Sequence, residues 1–127
     1  MEVILDTNAL SAWLDGAPLF QPVLEDIRKL YLSPIVLGEY RFGIAASRHR
    51  SKYEKVLEDL LDEIDVLPLD DRVAKTYADI RRELKTNGTP IPWHDIWIAA
   101  QARSFGLPVL SNDKHFDAVP FLRRIGW

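Results

Sequence analysis

Short apolar runs that stop abruptly at acids constrain this chain most. Val3-Ile4-Leu5 begins almost at the first residue and ends at Asp6-Thr7-Asn8, and Val109-Leu110-Ser111 leads into Asn112-Asp113. Runs of this kind, rich in β-branched residues and lacking polar alternation, read as strands buried on both faces. The segments between them carry helical spacing, and strands alternating with helices indicate a parallel sheet with helices on both sides. The expected fold is therefore α/β, a three-layer α/β/α sandwich with a central, mainly parallel sheet.

Turn and cap residues punctuate the chain. Ala9 to Leu14 suits a short helix, broken by Asp15-Gly16-Ala17-Pro18, and Pro22 to Leu30 suits another with Val23, Ile27 and Leu30 on one side. Tyr31-Leu32 reads as a short strand. Ser33-Pro34 is a helix start, serine as cap and proline in the first turn, so Glu39 falls in the second turn of a helix reaching about Ser47. Lys52 to Leu61 is helical, Ile64 to Leu67 reads as a strand, and Asp70 caps a helix that ends at Asn87-Gly88. The stiff Thr89-Pro90-Ile91-Pro92 delivers Trp93-His94-Asp95 to a helix running to Phe105, where Gly106 and Pro108 end it. Phe121 to Trp127 supplies a last edge strand.

At 127 residues, 47% of them hydrophobic and 28% charged, the chain fits one domain, 1–127, with one core. With no cysteine, disulfides, thiolate metal sites and cysteine nucleophiles are excluded. No segment approaches the ~18–20 apolar residues of a membrane span, and no secretory signal is evident, so a cytoplasmic protein is expected. The net charge of −3 argues against a globally basic nucleic-acid surface, though not against a local patch.

Four acids, Asp6, Glu39, Asp95 and Asp113, are embedded in segments that must be buried. Singly, Asp6 and Asp113 suit turns and Asp95 suits a helix N-terminus. Together those readings leave several carboxylates beside apolar runs with no evident basic partner. In a parallel sheet the crevice beyond the carboxyl ends of the strands can gather all four. Converging carboxylates repel one another unless a cation holds them ionised. Oxygen donors favour a hard ion, Mg2+ or Mn2+, over Zn2+, and His49, His94 and His115 are scattered without ligand spacing. An acidic pocket of this kind suits phosphate-ester chemistry.

The motifs Leu5-Asp6-Thr7-Asn8, Glu39 after Ser33-Pro34, His94-Asp95-Ile96-Trp97-Ile98-Ala99-Ala100-Gln101-Ala102, and Leu110-Ser111-Asn112-Asp113-Lys114-His115-Phe116 occur in that order. In this the chain resembles a PIN domain, and its length and motif order resemble the VapC ribonuclease toxins of prokaryotic toxin–antitoxin pairs. The resemblance implies a metal-dependent endoribonuclease in which Asp6, Glu39, Asp95 and Asp113 are the catalytic, metal-binding quartet. It implies that Thr7, Asn8, Ser111 and Asn112 orient the acids or the substrate, with Asp117 peripheral. It further implies a homodimer and a cognate VapB-like antitoxin covering the active-site groove. Arg48 and Arg50, in the basic stretch from Arg41 to Lys55, are candidates for tracking RNA phosphates. Trp93 and Trp97 beside Asp95 suit packing or a dimer face better than base stacking.

Other classes fit less well. A haloacid-dehalogenase-type phosphatase needs a second aspartate two positions after the first, where this chain has Asn8. A response-regulator receiver needs paired acids at the first strand, and a flap-type DNA nuclease needs a helical clamp for which there is no room. The alternative from another class is a non-catalytic PIN-like module that binds RNA or protein.

Overall fold

Val3, Ile4 and Leu5 are all fully buried. Successive strand residues face opposite sides of a sheet, so three in a row without exposure require both faces to be covered. In the computed structural model, which describes residues 1–127, this strand is β1 (Glu2–Leu5), at the centre of a five-stranded sheet. After it come α1 (Thr7–Leu14), α2 (Gln21–Glu25), β2 (Lys29–Leu32), α3 (Pro34–Ala45), α4 (Arg50–Leu61) and β3 (Asp65–Val66). Then follow α5 (Asp71–Thr86), α6 (Trp93–Phe105), β4 (Val109–Leu110), a 3-10 turn at Lys114–Ala118, and β5 (Arg124–Ile125). The strand order is β3-β2-β1-β4-β5, and every pairing is parallel. The α/β sandwich expected from the sequence is the architecture observed.

Strand order explains where a site can form. The first two crossovers step from β1 to β2 to β3 in one direction, and the third returns past β1 to β4. Chains leaving β1 and β4 therefore diverge, opening a crevice at their carboxyl ends. Ile4 opposes Val109 and Leu5 opposes Leu110, so Asp6 and the Ser111-Asn112-Asp113 turn leave the sheet side by side.

Several boundaries differ from the sequence reading. The helix expected over 22–30 stops at Glu25, and β2 begins at Lys29, where Lys29 and Leu30 pair with Glu2 and Val3. Strand pairing with a distant segment overrides the helical spacing of Val23, Ile27 and Leu30. The strands expected over 64–67 and 121–127 shorten to Asp65–Val66 and Arg124–Ile125. The caps do form: Ser33 Oγ accepts from Ile35 N at 3.1 Å and Asp70 Oδ1 from Val73 N at 3.1 Å, each worth ~1 kcal/mol. No helix is long and apolar enough to cross a membrane.

The α6 helix is the element through which the core reaches the site. Asp95, Ile96 and every residue from Ile98 to Ala102 are buried; its three alanines, Ala99, Ala100 and Ala102, let neighbours approach closely. It packs along α5, where Trp97 stacks on Tyr77 with centroids 4.0 Å apart and Arg103 grips Glu83 through two bonds of 2.8 and 3.0 Å. Gln101, fully buried, donates from Nε2 to the carbonyls of Leu67 and Pro68, both at 3.1 Å. That amide ties the segment after β3 to the helix carrying Asp95. Gln101→Leu keeps the volume but strands a buried carbonyl, so urea unfolding should show a loss of about 1–3 kcal/mol.

Candidate functional site

Asp6 is only 5% exposed and Asp95 only 4%, although both are acids. Asp6 occupies the N-cap position of α1 but makes no side-chain capping bond. Its Oδ2 instead accepts from Ser111 Oγ at 2.8 Å and from Asn8 Nδ2 at 3.1 Å. Ser111 Oγ in turn accepts from the Asp113 backbone N–H at 2.9 Å and lies 3.2 Å from Asn8 Nδ2. Asn8 Oδ1 accepts from the Asn112 N–H at 3.2 Å, and Asn112 Oδ1 accepts from the Trp127 N–H at 2.9 Å. One hydrogen-bonded chain thus runs from the Asp6 carboxylate through Asn8 and Asn112 to Trp127, beyond β5. Asn8, Ser111 and Asn112, expected to orient the acids, are in contact with or one bond removed from Asp6.

The other acids enter from helices and from the end of a strand. Asp95 stands in the first turn of α6, Glu39 in the second turn of α3, and Asp113 just beyond β4. Burial pushes the Asp6 carboxyl pKa up; the Ser111 hydroxyl opposes the shift, and the charges of Asp95 and Glu39 add to it. Asp6, Asp95 and Glu39 therefore share one electrostatic neighbourhood. Glu39 Oε1 and Thr7 Oγ1 are buried without any hydrogen-bond partner, and both residues line a cavity of about 370 Å3 between α1 and α3, with Ser11, Asp15, Ser47 and Tyr53 on its walls. Buried carboxylate oxygens normally find partners; an unpartnered oxygen beside a repelling cluster fits a site built to receive a cation.

His115 departs from the sequence reading, in which the histidines formed no ligand-spaced set. Its Nδ1 lies 3.1 Å from Asp95 Oδ2 and 3.1 Å from Asp113 Oδ1. One donor atom from each of Asp95, Asp113 and His115 falls within 4.8 Å of the others, a set able to hold a metal ion. Asp95 and His115 are far apart in sequence and meet only through packing of α6 beside β4. The available signal was the Asp-Lys-His spacing, because Asp113 Oδ1 accepts from the His115 N–H at 2.9 Å in a tight turn. His94 is more distant, with Nε2 3.6 Å from Asp95 Oδ1.

The remaining candidates lie outside the cluster. Arg48 lies in the connection between α3 and α4 and Arg50 begins α4, just after Ser47 of the cavity wall. Arg50 is paired only loosely with Glu54, at 3.9 Å, and the Arg48 guanidinium contacts His49 rather than a carboxylate. Asp117 is held by Arg124 at 2.8 and 3.1 Å, a structural pair that keeps it away from the acids. Trp97 is a packing residue against Tyr77, whereas Trp93 is 60% exposed.

The sign of the Asp6 shift has a measurable effect on the metal-free protein. A carboxyl whose folded pKa is raised stabilises the fold only while protonated, and that contribution is lost as pH rises through the folded value. Asp6→Asn retains an acceptor for Ser111 and Asn8. In EDTA it should therefore melt at a higher temperature than the parent at pH 7, and the difference should vanish below the ordinary aspartate value of 3.8.

Comparison with known proteins places this geometry. The PIN domain family model matches residues 3–122. Ribonuclease VapC5 of Mycobacterium tuberculosis is 32% identical over 91% of this chain and 86% of its own length. Toxin FitB of Neisseria gonorrhoeae is 35% identical over 87% of each. The structure of DNA-bound VapBC from Salmonella typhimurium superposes with a TM-score of 0.87 at 28% identity, covering 100% of this chain and 98% of that one. On fold, motif order and relatives alike, this chain belongs to the PIN-domain family and groups with its VapC members.

Proposed function

We propose that this chain is a metal-dependent endoribonuclease, the toxin of a VapBC-type toxin–antitoxin pair, acting as one domain over residues 1–127. The observation that carries the reading is the gathering of two buried acids, Asp6 and Asp95, with the half-buried Glu39 and Asp113 at the switch point of the sheet, in a chain whose relatives are named ribonucleases and toxins. Asp6, Glu39, Asp95 and Asp113 would hold Mg2+ or Mn2+. Such an ion polarises a phosphoryl oxygen and lowers the pKa of a bound water.

The chain's own residues supply position. Ser111 and Asn8 both bond Asp6 on Oδ2, which fixes the carboxylate plane and leaves its other oxygen for another partner. Asn112, tied to Asn8 and Trp127, holds the turn that presents Asp113. Thr7 shares the cavity wall with Glu39, and its buried, unpartnered hydroxyl is the group nearest in the chain to Asp6 that could orient the acids. Arg48 and Arg50, next in sequence to the cavity-lining Ser47, meet the phosphates of an RNA strand entering the crevice. The reaction is hydrolysis with water as nucleophile, which leaves 5′-phosphate and 3′-hydroxyl ends.

A partner surface adjoins the site. Phe42, one helical turn beyond Glu39 on α3, is 82% exposed, and Leu19 is 77% exposed. A large apolar side chain such as Phe42 standing free on the helix that carries Glu39 suits a covering partner, and the VapBC complex among the solved relatives makes an antitoxin the natural one. Homodimerisation belongs to the same reading.

Two measurements test it. Purified protein, freed of any co-purifying partner, should cut cellular RNA at discrete positions in Mg2+ or Mn2+. Cutting should cease in EDTA and fall on the order of 100-fold or more in Asp95→Asn, given that losing even a supporting partner of a metal ligand costs 10–100-fold. RNA binding with no turnover in either metal would establish the non-catalytic binding module instead. Separately, Arg48→Glu with Arg50→Glu should weaken RNA binding and flatten its salt dependence by ~0.7 in log–log slope for each phosphate no longer neutralised; unchanged affinity would remove both arginines from the RNA path.

A further inference from the structure

We propose that the His115 imidazole is a ligand of the bound cation and that its nitrogen makes the site select Mn2+ over Mg2+. This deepens the reading above, since it takes the acid crevice to be a divalent metal site. The His115 Nδ1 stands 3.1 Å from an oxygen of Asp95 and 3.1 Å from an oxygen of Asp113. Neighbouring ligands of an octahedral ion held at ~2.1 Å lie about 3 Å apart. The nitrogen thus stands at ligand spacing from an oxygen of each acid, and the three donor atoms all fall within 4.8 Å of one another.

Placement of the ring is built into the fold. The His115 backbone N–H is bonded to Asp113 Oδ1, and the Asp113 N–H is bonded to Ser111 Oγ, the same hydroxyl that holds Asp6. One serine therefore sets the positions of the carboxylates and of the imidazole together. The turn needs only the backbone of residue 115, so capping gives no reason for an imidazole there. Packing gives none either: the side chain is half-exposed, and its polar contacts are the two acids, which Nδ1–H bonds in the absence of an ion and which a cation joins to the same nitrogen once that proton is lost.

The donor chemistry then decides the ion. Mg2+ dehydrates reluctantly and prefers oxygen donors and retained water. Imidazole suits first-row transition ions such as Zn2+, Fe2+ and Ni2+, whereas carboxylate suits Mg2+ and Mn2+ alike; of those two only Mn2+ belongs to the transition series that takes nitrogen. A site offering one imidazole among carboxylates discriminates against Mg2+ at that one position, while an oxygen-only quartet would not.

The test uses the metal alone, without RNA. Mn2+ and Mg2+ affinities are measured by calorimetry on the parent, His115→Ala and His115→Gln, and Mn2+-loaded parent protein is examined by pulsed EPR for nitrogen coupling. The expected result is Mn2+ binding at least tenfold tighter than Mg2+, with a nitrogen coupling that disappears in both variants. In the variants Mn2+ affinity should fall at least tenfold while Mg2+ affinity changes less than twofold. An oxygen-only Mn2+ signal in the parent overturns the proposal without depending on whether either variant folds. So does an equal loss of both metals in variants that melt cooperatively. RNA cutting with an oxygen-only signal would refute the ligand and leave the ribonuclease standing; a nitrogen signal without RNA cutting would do the reverse.

Discussion

The hydrogen bond from Ser111 Oγ to Asp6 is the contact on which the rest of the site depends. It joins the carboxyl ends of β1 and β4, the two strands between which the crossover direction reverses, and spans 105 positions of sequence. A carboxylate at 5% exposure is costly to keep. It is tolerated because two side-chain donors converge on one of its oxygens. The same hydroxyl orients Asp113 through its backbone. Removing that serine would disturb acids on two strands at once, whereas the helical acids Glu39 and Asp95 answer to different packing.

Rigidity is distributed unevenly around the crevice. One wall is α6, buried along most of its length and fixed to α5 by the Trp97–Tyr77 stack and the Arg103–Glu83 fork. The other is α3, on which Glu39 lines a cavity and has one buried oxygen without a partner. Asp95 is thus presented by a well-anchored helix and Glu39 by a face left open.

Much of this was legible in the sequence because it appeared there as a conflict. Asp6 and Asp113 terminate apolar runs, Asp95 opens an apolar helix and Glu39 interrupts one; local propensity explains none of them as a set. The strand–helix alternation likewise sufficed for the layered fold. What escaped was information carried by tertiary pairing. Leu30 reads as helical because Val23 and Ile27 precede it, yet pairing opposite Val3 makes it a strand residue. His115 reads as isolated because Asp95 lies twenty positions away, and only the packing of α6 beside β4 brings the two together. Asp117 could be set aside from sequence, but its reason, the Arg124 fork, could not be foreseen.

The parallel topology also orders the site in time. A ribosome-bound chain that has released residues 1–105 already carries Asp6, Glu39 and Asp95, but β4 has not paired with β1, and neither Ser111 nor Asp113 is present to close the crevice. The acids then stand in an unfinished sheet with an open edge. Only the segment after Pro108 supplies the neighbour strand, the serine and the fourth acid together. Synthesis itself therefore acts as a delay, because the four acids cannot meet until the chain has been made through Asp113.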